Sequence, residues 1–283
     1  MTSGILSRDT LLKRHIALPQ QHGAWALWLA PYAIGVGVGR DITPALGWLT
    51  LATTGAFLAL QPRTQLVKIA AGRRSARDQA PALVWLAVYG LLGLVGTAGL
   101  VATGQGWVLV LGALALSILV WQMFLVARRA ERGQMGVEIL GAAALALGAP
   151  AAYGVAVGGP GLTGVWLWTL CALQAAGGVV YIFATLVYRR MSALPDWSER
   201  WRIAGRSTLL HVAMWLVVGL LVAASQIPMG VLLPFSLLLA EAIYGGLLRP
   251  PVGVKPTRIG VRQTVVTALF ALLVVAAYWI PTG

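Results

Sequence analysis

Long apolar runs alternate with short polar segments along nearly the whole chain. Each run holds roughly 20 residues, which at a rise of about 1.5 Å per residue is long enough to cross a bilayer as a helix. The pattern therefore predicts an all-α, multi-pass helical bundle of about nine membrane spans. The predicted spans are 22–39, 44–61, 81–102, 106–127, 134–157, 163–187, 207–225, 229–248 and 263–280.

The polar segments between the runs carry the charge and indicate an orientation. If the segments alternate between two sides of a membrane, 20 of the 21 Lys and Arg residues fall on one side and only Arg40 falls on the other. Basic residues concentrate on the cytoplasmic side of membrane proteins. We therefore expect a bacterial cytoplasmic membrane protein with its amino terminus inside and its carboxyl terminus outside.

Composition excludes the common soluble classes. The chain is 59% hydrophobic and only 10% charged, too little charge to cover a soluble domain of this length. Its net charge of +13 would suit nucleic acid, but the charges lie between apolar runs, so we expect membrane lipids as partners and no nucleic acid. The organisation predicted is a cytoplasmic segment, residues 1–21, followed by one transmembrane domain, residues 22–283.

Two ten-residue segments of the chain are similar and suggest an internal repeat. Residues 30–39 read APYAIGVGVG and residues 149–158 read APAAYGVAVG, with seven identical positions. They lie in the first and fifth spans, so an even number of crossings separates them and both copies run in the same direction. This predicts two parallel groups of four helices plus one additional helix, with the basic loops 62–80 and 188–206 in matching places.

Four ionisable residues fall within the predicted spans, all in the half nearer the cytoplasm. They are His22, Glu138, His211 and Glu241. An ionisable group at bilayer depth costs about 2.5–3.5 kcal/mol, which makes each a functional candidate. A buried carboxylate suits general acid or base chemistry, so we assign proton transfer to Glu138 or His22 and substrate binding to His211 and Glu241. The alternatives are interfacial hydrogen bonds for the histidines, a pairing of Glu138 with a neighbouring arginine, and a polar contact between helices for Glu241.

Further polar residues lie at the same level and could hold an anionic headgroup. They are Gln21, Arg63, Lys68 and Arg189. Arg63 follows Pro62 at the inner end of the second span, where a guanidinium can grip phosphate or carboxylate with two parallel N–H groups. The alternative for most of these cations is simple anchoring to anionic lipid.

Two sequence signatures resemble a known family. Residues 19–25, Pro-Gln-Gln-His-Gly-Ala-Trp, followed by Pro31 and Gly35, resemble the opening signature of the YwiC-like family of bacterial membrane proteins. Residues 131–138 and then 148–153, Gly-Ala-Pro-Ala-Ala-Tyr, resemble its middle signature. The family usually has an acid before the histidine, where this chain has Gln21. The resemblance implies an integral membrane protein and leaves its activity open.

The predicted architecture also resembles that of the UbiA-type intramembrane prenyltransferases. Those enzymes have nine helices in a four-plus-four arrangement and a cytoplasmic cavity capped by the loops after the second and sixth spans. They hold magnesium and a prenyl diphosphate with Asp-rich motifs near those loops. The corresponding stretches of this chain offer only Asp78, and Asp196 with Glu199. No metal site is therefore predicted, and the cofactor is left unassigned.

Three functional hypotheses follow from these patterns. The first is a UbiA-like protein that binds or transfers an isoprenoid or lipid-like substrate at a cytoplasm-facing cavity. The second is a transporter of a small anion or metabolite, suggested by the repeat, the prolines Pro31 and Pro150 within spans, and the basic rim. The third is an accessory subunit without a substrate. Whether the chain is an enzyme is open at this point.

Overall fold

The computed structural model describes residues 14–19, 22–128 and 134–280, and across these ranges the regular secondary structure is entirely helical. Eleven α-helices are joined by short connections. They are α1 Arg14–Ala17, α2 His22–Gly39, α3 Pro44–Ala70, α4 Gln79–Ala102, α5 Val108–Ala127, α6 Met135–Leu145, α7 Gly148–Val157, α8 Leu162–Tyr188, α9 Trp197–Ala223, α10 Leu232–Ile243 and α11 Pro256–Trp279. Short 3₁₀ turns cover Ala76–Asp78 and Met229–Val231, and a π-helical segment, Tyr244–Leu248, continues α10.

The multi-pass helical bundle predicted from the sequence is confirmed. Among the described residues, seven helical stretches are long and apolar enough to cross a membrane, and they match the third to the ninth predicted spans. The first predicted span corresponds to a shorter apolar helix, Gly23–Gly39. The second corresponds to α3, which contains its whole range and continues beyond it.

Two helices extend into segments that the sequence pattern assigned to long loops, so the predicted extents of 62–80 and 188–206 are wrong. Helix α3 continues through Pro62 to Ala70. Residues 63–70 are mostly good helix formers, and they outweigh the single backbone hydrogen bond lost at the proline. Helix α9 begins ten residues earlier than predicted, where the Asp196 side chain accepts a hydrogen bond from the backbone N–H of Glu199 at 2.8 Å.

The two prolines within predicted spans behave differently. The fifth span is interrupted between Leu145 and Gly148, just before Pro150. A proline ring clashes with the carbonyl four residues earlier, here that of Ala146, so the interruption lies where the clash requires it. Helix α2 passes through Pro31 without a break.

The two similar ten-residue segments pack directly against each other. In α2, a Cβ atom added at Gly35 would overlap the carbonyl oxygen of Ala149 and the Cβ of Ala152, and one at Gly39 would overlap Ala156. Residue numbers rise together along this contact, so α2 and α7 run in the same direction, as the even offset predicted. The glycines allow the two backbones to approach closely, which is how helices gain packing energy in lipid.

The remaining helices surround this central pair. Helices α3 and α4 form a tight antiparallel pair, α8 packs against α6, α7 and α9, and α11 closes the bundle by contacting α2 and α10. The larger buried cluster joins residues of α2 and α8 to α11, and a second cluster joins α3, α4, α5 and α7. Helix α5 is mostly exposed and lies at the periphery.

The α2–α7 contact generates a stability prediction. We expect Gly35→Ala to lower the thermal unfolding temperature by several degrees, because forcing a methyl group into a packed contact costs about 1–3 kcal/mol. Gly47→Ala is the matched control, because nothing lies near the position that its Cβ would take. Unfolding can be followed in detergent by the loss of the monodisperse peak in size-exclusion chromatography. Equal unfolding temperatures for the two variants would contradict this account of the packing.

Candidate functional site

Arg63 is the most unusual polar residue of the described bundle. Its Nε and Nη2 atoms are buried and have no hydrogen-bond partner among the residues that the structure describes. Buried N–H groups of a cation are costly to leave unpaired, since charged groups normally keep strong acceptors when they leave water. Such a guanidinium is prepared to accept an anion.

The position of Arg63 follows from the geometry of α3. It lies eleven residues after Ala52, which in an α-helix is a rotation of only about 20°. The backbone of Ala52 packs on Gly96 of α4. Arg63 therefore lies on the face of α3 that is turned toward α4, near the end of the bundle where the basic residues gather, which we call the basic end.

A short amino-terminal strap, residues 14–19, covers the α3–α4 pair at the basic end. Ile16 on this strap is fully buried. The Gln61 side chain donates a hydrogen bond to the backbone carbonyl of His15 at 2.7 Å, and the His15 imidazole lies 4.0 Å from the Asp78 carboxylate just before α4. The strap thus bridges α3, at Gln61 two residues before Arg63, to the start of α4.

Polar and aromatic side chains line the neighbouring part of α3. Gln65 is only 6% exposed. Phe57, six residues before Arg63, packs against two tryptophans of α2. Its ring centroid lies 4.8 Å from that of Trp28 and 5.0 Å from that of Trp25. The indole Nε1 of Trp28 is buried without a partner among the described residues. This region therefore combines an apolar aromatic wall with unused hydrogen-bond donors.

The other residues predicted to bind a headgroup lie in different parts of the chain. Lys68 is half-buried on the last turns of α3 and has a partner. Arg189 is exposed just after α8. Gln21 and the side chain of His22 lie outside the described residues, although the backbone of His22 begins α2.

Glu138 does not lie in the bundle interior. It is in the first turn of α6 and its side chain is exposed at the protein surface instead of being packed between helices. A carboxylate there still suits the positive end of the α6 dipole. The arginines proposed as its partners, Arg129 and Arg132, lie outside the described residues, while Arg128 stacks over the Phe124 ring. The proton-transfer role of Glu138 stays a prediction.

His211 is buried in the middle of α9, with 5% of its surface exposed. Its Nδ1 lies 2.7 Å from the backbone carbonyl of Ser207, one turn earlier on the same helix. Its Nε2 faces Gly177 on α8. The structure therefore places this histidine in the α8–α9 contact and does not bring it together with Arg63.

Glu241 forms an ion pair that the sequence analysis missed. Its carboxylate accepts a hydrogen bond from Arg262 Nη2 at 2.6 Å and another from Gln263 Nε2 at 3.1 Å. The plainer interpretation of Glu241, a polar contact between helices, is what the structure shows. The sequence pattern predicted that the last helix begins at residue 263, so Arg262 was interpreted as one more basic residue of a loop.

The carboxylates near the two loops do not form a magnesium cage within the described part of the chain. Asp78 lies by His15, Asp196 caps α9, and Glu199 pairs with Arg202 at 2.7 Å. No group of three or more His, Cys, Asp or Glu side chains in the described ranges is arranged to hold a metal ion. The residues present therefore do not fit the metal site that the UbiA-type resemblance implies.

Two surface depressions lie at the end of the bundle opposite the basic end. The larger, of about 410 Å³, is bordered by the α2–α3 and α4–α5 connections and the end of α7. The smaller, of about 360 Å³, lies in the α9–α10 connection, at Val222 and residues 225–229. Neither is lined by a predicted site residue, so the candidate site rests on Arg63 and its surroundings.

Comparison with known proteins supports the two resemblances seen in the sequence. Residues 18–153 match the model of the YwiC-like protein family. This range contains α2 to α6, the first part of α7 and the Arg63 region, and it confirms the YwiC-like resemblance there. No curated protein matches the chain.

A solved structure of digeranylgeranylglyceryl phosphate synthase, a UbiA-type membrane prenyltransferase, is similar along nearly the whole chain. The TM-score is 0.54 at 14% sequence identity, with 95% of this chain and 98% of that chain covered. At this identity the likeness shows a shared fold and nothing about the reaction. It confirms the UbiA-like architecture, while nothing in the comparisons supports the transporter alternative.

The strap generates a prediction about access to the site. We expect Ile16→Ser to speed the labelling of an engineered Gln65→Cys thiol by a water-soluble maleimide. Burial of an isoleucine side chain stabilises a contact by about 1.5–3 kcal/mol, so loosening the strap raises the rate about tenfold or more. Ile42→Ser is the control, because Ile42 is 88% exposed at the opposite end. Equal labelling rates in the two variants would show that the strap does not cover this part of α3.

Proposed function

We propose that this YwiC-like membrane protein binds an isoprenoid or lipid-like amphiphile whose anionic headgroup pairs with Arg63. The Nε and Nη2 atoms of Arg63, which are buried and have no hydrogen-bond partner in the described part of the chain, carry the proposal. An arginine presents a planar fork of N–H groups that matches the oxygen atoms of phosphate or carboxylate. An incoming anion would satisfy the donors that the described residues leave unused.

The surroundings of Arg63 favour an amphiphile over a small soluble anion. The stacked rings of Phe57 and Trp28 form an apolar wall in the α2–α3 contact, six residues before Arg63 on α3 and about 120° around that helix. An unsaturated hydrocarbon tail packs well against flat aromatic faces, while a small hydrophilic anion would gain nothing from them. The fold shared with digeranylgeranylglyceryl phosphate synthase is compatible with a lipid substrate of this kind.

The location of the site agrees with an approach from the cytoplasm. Basic residues cluster at this end of the bundle, as positive residues do on the cytoplasmic side of membrane proteins. We therefore propose that the basic end faces the cytoplasm, with the strap of residues 14–19 between Arg63 and the solvent. The headgroup would enter beneath the strap and the tail would lie among the helices.

The proposal covers binding and leaves group transfer as a separate question. The described carboxylates do not fit a magnesium site, so we derive no step that passes through a metal-bound diphosphate. The Arg63 guanidinium can hold and orient an anionic headgroup. Of the residues predicted for proton transfer, Glu138 is exposed and His22 begins the helix that carries the aromatic wall.

Binding can be measured with a pair of ligands that differ only in the headgroup. We expect geranylgeranyl phosphate to bind the purified protein in lipid nanodiscs more tightly than geranylgeraniol, which has the same tail and no charge. Arg63→Gln should weaken the phosphate ligand roughly a hundredfold, since two charge-assisted hydrogen bonds contribute about 3 kcal/mol, and leave geranylgeraniol unchanged. The affinity of Arg63→Lys for the phosphate ligand should fall between those of the wild-type protein and Arg63→Gln. Lysine keeps the positive charge but lacks the planar pair of N–H groups.

The matched control for this experiment is Arg74→Gln, which removes the same charge from an exposed residue at the same end of the bundle. If Arg74→Gln and Arg63→Gln weaken binding equally, the effect is a general attraction between the ligand and the basic end. In that case the assignment of Arg63 as the headgroup site is wrong.

A further inference from the structure

The ion pair between Glu241 and Arg262 belongs to a different part of the bundle from Arg63. Helices α10 and α11, which carry the pair, pack against each other, against α9 and against α2. Helix α3, which carries Arg63, packs mainly against α4, α5 and α7. The pair is therefore not needed to build the Arg63 site, and its presence at membrane depth requires its own explanation.

The Glu241 carboxylate is held firmly from several directions. Arg262 donates to one carboxylate oxygen at 2.6 Å and Gln263 donates to the other at 3.1 Å. The hydroxyl of Tyr181, from α8, lies beside the same carboxylate. With both oxygens engaged and only 13% of the side chain exposed, Glu241 fixes the orientation of the Arg262 guanidinium.

A π-helical turn packs against this guanidinium. The segment Tyr244–Leu248 follows α10 directly, and such single π turns are frequent at functional sites. A Cβ atom at Gly245 would meet the Tyr181 hydroxyl and would lie 3.1 Å from Arg262 Nη2. Glycine at this position therefore leaves room for the Tyr181 hydroxyl beside the arginine.

The opposite side of the Arg262 guanidinium faces the molecular surface. The side chain is 36% exposed, and Nη2 is its only nitrogen with a hydrogen-bond partner among the described residues. The Tyr244 ring, itself exposed, lies 5.5 Å from the guanidinium carbon and stabilises the cation through its π face. Nε and Nη1 have no hydrogen-bond partner among the described residues, so they are the groups that a ligand would bind.

We propose that Arg262 and Tyr244 form a second anion site, which binds the phosphate group of an amphiphile between α10 and α11. Phosphate is the chemistry that fits, because the N–H groups of a fixed guanidinium bind two phosphate oxygens in parallel. Arg262 lies within the first two turns of α11, at the basic end of the bundle. The phosphate headgroup of a lipid in the adjoining leaflet would lie at the same depth as Arg262, and its acyl chains would lie along the helices.

The test uses the full-length protein in nanodiscs that contain either phosphatidic acid or diacylglycerol, which has the same tails without phosphate. Retained lipid is counted by native mass spectrometry after gentle release. We expect phosphatidic acid to be retained and diacylglycerol not, and Arg262→Gln to weaken retention about tenfold or more. Arg206→Gln, which removes the same charge from an exposed position on α9, should have no effect. Equal retention of both lipids would overturn the proposal.

A second variant separates binding from folding. Arg262→Gln leaves the Glu241 carboxylate without its cation, which can destabilise the bundle by itself. The double variant Glu241→Gln, Arg262→Gln removes both charges and should unfold at the temperature of the wild-type protein. We expect its phosphatidic acid retention to stay lost. A double variant that folds normally and retains the lipid would show that Arg262 only clamps Glu241.

Inorganic phosphate distinguishes the two sources of the anion. If excess inorganic phosphate displaces phosphatidic acid, the site recognises the free phosphate group, and the ligand includes soluble phosphates. If inorganic phosphate does not displace phosphatidic acid, the site requires the whole amphiphile and recognises a lipid headgroup. To keep the Arg63 site from contributing, the same measurements are repeated in an Arg63→Gln background, where the effect of Arg262→Gln should persist.

Discussion

A bilayer interior offers no water to hydrogen-bond with, and this constraint decides most of the structure. Every backbone N–H and carbonyl within the hydrocarbon must be paired inside the protein, which is why the described chain is helical throughout. Several hydroxyl side chains follow the same rule: Thr53, Thr97 and Thr169 each donate to the carbonyl four residues earlier on their own helix. A few buried groups have no partner among the described residues, and Arg63 is the charged residue in that set.

The same constraint removes the usual driving force for helix association, because lipid tails are as apolar as leucine. Van der Waals packing between closely spaced backbones takes the place of that driving force. Glycines allow that approach where α2 meets α7, at Gly35, and where α3 meets α4, at Gly55 and Gly96. These contacts hold together the part of the bundle that positions Arg63 and the aromatic wall. The architecture thus depends on small residues at the helix contacts.

The relation to the solved prenyltransferase illustrates that a fold and its chemistry can separate. The bundle is shared over nearly the full length at 14% identity. The carboxylates that would hold a metal are instead used structurally in this chain: Asp196 caps a helix and Glu199 pairs with an arginine. The polar groups available for ligands are two arginines, Arg63 and Arg262, on different helices. Function must be argued from these sites, because the fold supports more than one chemistry.

The sequence by itself determined the spans, their order and the parallel relation of the two similar segments. These properties depend on local hydrophobicity and on the parity of crossings, both of which can be read along the chain. Positions near the ends of helices were less predictable. Residues 62–70 looked like a loop because they follow a proline and carry charge, whereas in the structure they continue α3.

Only the tertiary structure decided which side chains meet and which way each one faces. Glu138 and Glu241 looked equivalent in sequence, one acid in each of two apolar runs, yet one is exposed and the other pairs with Arg262. The burial of Ile16 could not be read from a polar amino-terminal segment either. Hydropathy measures how apolar a stretch is, while the face of a helix and its partner depend on packing between segments far apart in the chain. For that physical reason the spans were predictable from the sequence, whereas the partners of each polar side chain were not.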